Sequence, residues 1–127
     1  MTLLRSTGAV LAGFFATAIL SVGTDALLHA TGVFPPMDVR MSDGLFVVAA
    51  LYRALFTVVG GAVTARVAPS NPGRHAAVLG GLGLLGGLAG LSVAVAHPEL
   101  GPLWYSASIP LSAVPCIALG AWLVRRE

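Results

Sequence analysis

Four long apolar runs, separated by short stretches of proline, glycine and charge, account for almost the whole chain. They fall at about 6–29, 45–67, 75–96 and 103–124. Each reaches the roughly 20 residues that a helix needs to cross a hydrocarbon core. Between them lie Pro35-Pro36 with a polar set from Asp38 to Gly44, a proline-bounded turn from Ala68 to Arg74, and the break His97-Pro98-Glu99-Leu100-Gly101-Pro102. These connections are too short to fold separately. The pattern predicts an all-α protein, a four-transmembrane-helix antiparallel bundle forming a single domain over 1–127. Ser42 or Asp43 is the expected N-cap of the second span.

Inside the runs a second pattern recurs every fourth residue. Gly13, Thr17, Ser21, Asp25 and His29 mark the first span; Ala49, Arg53, Thr57, Gly61 and Ala65 mark the second. Span three carries Gly83 and Gly87 with the overlapping pair Gly86 and Gly90, and span four carries Ser108, Ser112, Cys116 and Gly120. Residues four apart stack on one helix face. Lipid cannot solvate a stripe of hydroxyls and charges, whereas small residues let helices approach closely, so the stripes are expected to face protein. The glycines on more than one face of span three leave room for a homo-oligomer or a larger membrane complex. Pro110 and Pro115 should kink or loosen span four, with Ser106, Ser108 or Ser112 available to satisfy the freed carbonyls.

Composition agrees with the pattern: 57% of residues are hydrophobic, 9% are charged and the mean hydropathy is +0.91, against about 25% charged in an ordinary soluble domain. The lipid bilayer is the expected environment. Lysine is absent and the arginines are scattered, so nucleic acid is not an expected partner. A lone cysteine, Cys116, excludes an intramolecular disulfide and paired-thiol redox chemistry. Arg5 and the Ala16-Thr17-Ala18 triplet resemble a secretory signal, but the apolar run continues to Leu28, so a retained span is expected. Arg5, Arg66, Arg74, Arg125 and Arg126 share one side if all four spans cross, which makes both termini cytoplasmic. Trp104 and Tyr105 then lie at the outer boundary and Trp122 near the inner one.

Arg53 is the residue most costly to explain. Counting from Leu45 at about 1.5 Å per residue it lies about 12 Å inside the core, where an unsheltered arginine costs about 2–3 kcal/mol. Asp25 lies about 6–8 Å below the same outer boundary by the same rise, within reach of Arg53 across a contact between spans one and two, so the two are expected to pair, with Tyr52 or His29 completing the hydrogen bonding. A lock between two helices and an outward-facing polar cavity are both compatible with such a pair. His29, His97 and Glu99 lie on the same side, and with Asp25 they form a weak candidate set for a metal ion. No cofactor is expected: a bis-histidine haem would need His29 and His97 at one depth, and His75, beside Arg74, opens span three at headgroup level on the other side. The Gly80-Gly81-x-Gly83 cluster follows no strand and is not a phosphate loop.

The run TDALLHATGVFPP from Thr24 to Pro36, followed by MSDGLF at Met41 to Phe46, the pair Tyr52-Arg53 and the pair Trp104-Tyr105, resembles a group of small bacterial four-helix integral membrane proteins that carries no assigned activity. The resemblance implies the membrane class and brings no catalytic residues. Arginine-only, alanine-rich and glycine-rich usage fits a high-GC bacterium, and hence a bacterial inner membrane. Three functions remain open. The first is a structural or accessory protein acting through helix packing. The second is a small transporter or channel lined by Asp25, Arg53 and hydroxyls. The third is an outer-leaflet enzyme or cofactor binder, in which Arg53 holds an anionic or carbonyl oxygen and Asp25 with His29 moves protons.

Overall fold

The computed structural model describes residues 2–36, 39 and 41–125, without the side chains of Thr2 and Arg125. Asp38, Arg40 and Arg126 lie outside the described residues. The elements are α1 (Thr2–Ala30), α2 (Asp43–Val67), α3 (Pro72–Ala96), a 3₁₀ turn (Pro98–Leu100) and α4 (Leu103–Arg125). No strand occurs among the described residues.

The helix ends follow from local chemistry. Ser42 is the N-cap of α2: its backbone is extended and its hydroxyl accepts from the Leu45 amide, with Asp43 in the first turn where the helix dipole favours an anion. Helix α3 starts at Pro72, three residues ahead of the hydropathy boundary at His75. A proline at the first helical position has no amide to satisfy and a φ already suited to the helix. Asn71 before it turns the chain at φ 44°, a left-handed conformation that asparagine tolerates better than most residues.

Contacts across the helices fix their directions. Thr64 on α2 meets Ala9 on α1, while Arg53 meets Asp25, so α1 and α2 run in opposite directions. Gly80 meets Val114 and Gly87 meets Pro110, so α3 and α4 are also antiparallel. Gly61 against Ile117 and Phe46 against Tyr105 make α2 and α4 parallel, and Ser6 against His75 does the same for α1 and α3. The chain is therefore an up-down-up-down bundle, with α2 touching all three other helices.

Small residues set its spacing. A Cβ on Gly87 would come within 2.9 Å of the Pro110 backbone, so the helices meet there only because the glycine has no side chain. Pro110 is buried in this contact and α4 stays helical through both prolines. Ser108 and Ser112 donate to the carbonyls of Tyr105 and Ile109, three residues back. These are not the carbonyls of Ser106 and Leu111 that the prolines release, so the hydroxyls bond one residue short of the first and two short of the second.

The outward surface is apolar. Within the most hydrophobic window of each helix, 17–28% of residues are buried, and Leu51, Leu85 and Leu111 are among the side chains left bare. All four helices are long and apolar enough to cross a membrane. In water such a surface would be a strong association liability; in lipid it is the favourable outer face.

Candidate functional site

The stripe on α1 meets α2 along its length. Thr64, wholly buried, donates to the Ala9 carbonyl at 2.9 Å. One step further along α1, the Thr17 hydroxyl lies 3.1 Å from the Gly13 carbonyl and 3.3 Å from that of Phe56. Ser21 is buried. The next position is Asp25, where the interaction becomes ionic: Arg53 donates through a terminal nitrogen to one carboxylate oxygen, and the Tyr52 hydroxyl donates to the other.

This cluster is partly sheltered, with side-chain exposures of 31% for Arg53 and 27% for Asp25. Neighbouring groups complete it from two directions. Tyr105 at the start of α4 is an electrostatic neighbour of Arg53 and Asp25, and its ring packs on buried Phe46 at 4.9 Å. From the α1–α2 connection, buried Phe34 stacks on Tyr52 at 6.5 Å and meets the His29 ring edge-on at 5.3 Å. The connection folds back because the Phe34 amide bonds the Leu28 carbonyl at 3.0 Å and the His29 Nδ1 bonds the Pro35 carbonyl at 2.9 Å.

Beside Arg53 the helices leave a half-open cavity of about 290 Å³. Thr17, Ser21, Arg53 and Thr57 contribute its polar wall; Leu79, Ile109 and Ile117 are among its apolar lining. Thr57 bonds the Arg53 carbonyl at 2.7 Å, so its hydroxyl is already engaged. The Nε of Arg53 is buried and has no hydrogen-bond partner among the described residues. A guanidinium donor left in that condition is costly unless an oxygen reaches it.

The structure thus brings Asp25, Tyr52 and Arg53 together and sets His29 behind Phe34, with its Nδ1 held by the loop. His97 and Glu99 are elsewhere: they face each other at 3.2 Å on the exposed α3–α4 connection. Among the described residues no three metal-ligating side chains converge, so the four candidates Asp25, His29, His97 and Glu99 do not form one coordination set. His75 opens α3 at the opposite end of the bundle. It is buried, with Nε2 at 2.8 Å from the Ser6 hydroxyl and Nδ1 at 3.0 Å from the Asn71 carbonyl, and it ties α3 to α1. Tyr105 and Phe34 are the participants that sequence reasoning missed. An aromatic belt accounts for Tyr105 by depth alone, and for Phe34 the sequence offers only its place next to Pro35-Pro36.

No family model, no curated protein and no solved structure matches the chain. The chain stands as a small protein of four helices, each long and apolar enough to span a membrane.

Proposed function

We propose that the chain is a small multi-pass protein of a bacterial inner membrane, with both termini cytoplasmic, whose role is structural or accessory. It acts through helix packing with a second copy or with a larger membrane complex. The observation that carries this reading is the condition of Asp25: both carboxylate oxygens are taken by donors from α2. Two donors fixed on one neighbouring helix hold the carboxylate in a single orientation, which suits a register lock between α1 and α2. The packing surface is supplied by α3. Its Gly80, Gly83 and Gly87 meet α4, while a Cβ at Gly86 or Gly90, which lie four residues apart on one strip, would meet nothing within 4 Å. This second face is suited to close approach by another helix.

Co-isolation of two differently tagged copies from the membrane tests the homo-oligomeric form. The expected result is recovery of both tags, lost in Gly86→Leu with Gly90→Leu while the variant's own melting is unchanged. Equal recovery from the variant would remove α3 from the interface.

One observation favours a second reading, an outer-leaflet binder. The unpartnered Nε of Arg53 beside a 290 Å³ cavity suits a membrane-soluble molecule that presents a carbonyl or carboxylate oxygen. Titration with decyl-ubiquinone or oleate, followed by tryptophan fluorescence, distinguishes the readings: saturable quenching that disappears in Arg53→Leu with Asp25→Leu would favour the binder.

A further inference from the structure

A second concave surface lies at the opposite end of the bundle, far from Asp25. Helices α1 and α3 run parallel there and touch through the Ser6–His75 hydrogen bond, leaving a groove of about 540 Å³ along their outer side. Buried His75 and Val10 form its floor. Its banks are exposed and spaced one turn apart: Leu3, Thr7 and Leu11 on α1, Arg74, Val78 and Leu82 on α3. The character changes along its length. Ser70, Asn71 and Arg74 form the end nearest the α2–α3 turn, and Leu11 with Leu82 form the end toward mid-span.

We propose that this groove is a binding site for an anionic glycerophospholipid. Its phosphate is held by Arg74 with the hydroxyls of Thr7 and Ser70, and one acyl chain lies between Val78, Leu82 and Leu11. The dimensions suit this occupant. From Arg74 to Leu82 the groove runs about 12 Å at 1.5 Å per residue, within the roughly 15 Å that one leaflet contributes to a 30 Å core. Charge selects the lipid. The described acidic residues, Asp25, Asp43 and Glu99, all belong to the other end of the bundle, whereas Arg5, Arg66 and Arg74 belong to this one. A zwitterionic headgroup would bring an ammonium into that positive field. A free phosphate would gain the arginine but leave the apolar banks uncovered.

Native mass spectrometry of the full chain in dodecyl maltoside, with added dioleoyl-phosphatidylglycerol, dioleoyl-phosphatidylcholine or inorganic phosphate, tests the site. One phosphatidylglycerol is expected to bind in preference to phosphatidylcholine, and inorganic phosphate not to be retained. Arg74→Gln should weaken phosphatidylglycerol about fivefold, the loss expected for one arginine at a charged lipid surface. Val78→Trp, which fills the groove at an exposed position, should weaken it as well, while Arg5→Gln, outside the lining, should not. Equal binding of both lipids would overturn the proposal, as would equal losses in the Arg74 and Arg5 variants or undiminished binding in Val78→Trp. Retention of inorganic phosphate at the same stoichiometry would show that the groove itself plays no part, and would overturn it too.

Discussion

Helix α1 is held to α2 by hydrogen bonds laid over a close approach of Gly13 and Gly60, whereas α4 meets its neighbours mainly through glycines. Along the first seam Thr64 reaches Ala9, Thr17 reaches Phe56, and Tyr52 and Arg53 reach Asp25, so the polar contacts on α1 recur every eight residues. Along the second, Gly61 lies against the backbone of Ile117, Gly120 against that of Val58, and Gly87 against Pro110. In lipid neither seam gains from burying apolar surface, because the alternative solvent is equally apolar. The two therefore do different work. Hydrogen bonds are directional and fix rotation and register, whereas glycines permit proximity and let dispersion over many atoms supply the attraction.

The comparison breaks most sharply at Gly120. A Cβ there would lie 2.8 Å from the Ala62 amide nitrogen and 2.9 Å from the Val58 carbonyl carbon, both backbone atoms that cannot move aside alone. Gly120→Leu should cost about 3 kcal/mol, the upper part of the usual range for overpacking, read as a shift in unfolding on titration from dodecyl maltoside into sodium dodecyl sulfate. A change below about 1 kcal/mol would mean that α4 is held by something other than close approach.

Next in size is the ionic lock. Asp25→Leu leaves the guanidinium without its carboxylate and should cost about 2–3 kcal/mol, in line with an arginine deprived of shelter in the core. The double variant Asp25→Leu with Arg53→Leu should recover most of that loss, because removing both partners removes the desolvation problem. No such rescue is available on the glycine side, where a second bulky residue only worsens the clash. A double variant as unstable as the single would be evidence against the lock.

The parts of this contrast that were readable in the sequence are those that depend on spacing and on the cost of charge in lipid. Four runs of apolar residues allow few architectures, and an arginine and an aspartate at similar depth on consecutive spans have few partners besides each other. The four-residue stripes likewise put Gly13, Gly61, Gly83, Gly87 and Gly120 at helix contacts, whereas Gly86 and Gly90 of the overlapping stripe meet nothing within 4 Å. Other features depend on where backbones pass, which periodicity does not encode. Tyr105 joins Arg53 because α2 and α4 run parallel and side by side, a neighbour relation that hydropathy cannot rank against α1 beside α4. Phe34 is buried because its connection folds back onto Leu28, and His75 because α3 begins at Pro72, which turns the imidazole toward Ser6. The pair of His97 and Glu99 shows the converse: sharing a side of the bundle did not bring it near Asp25.

Within the polar seam, Thr64→Val keeps the shape and removes the hydroxyl that reaches Ala9. The expected loss is about 1 kcal/mol, because that carbonyl keeps its own helical partner and the deletion leaves no unpaired donor. A thermal melt in micelles is sufficient to measure it. A loss near 3 kcal/mol would place Thr64 among the packing residues instead, and the distinction between the seams would weaken.

The smallest effect is expected at Tyr52. Tyr52→Phe deletes one of the two donors to Asp25 and leaves the arginine contact and the stacking on Phe34 in place. A cross-helix hydrogen bond in a membrane averages about 0.6 kcal/mol, and the carboxylate, still paired, should lose no more than that. The informative comparison is with the same substitution made after Arg53→Leu. There the tyrosine hydroxyl is the remaining described donor to the carboxylate, and its removal should cost distinctly more than in the intact protein. Equal costs in the two backgrounds would mean that Tyr52 and Arg53 act independently on Asp25. The seam would then be a row of separate hydrogen bonds rather than one that tightens around a charge.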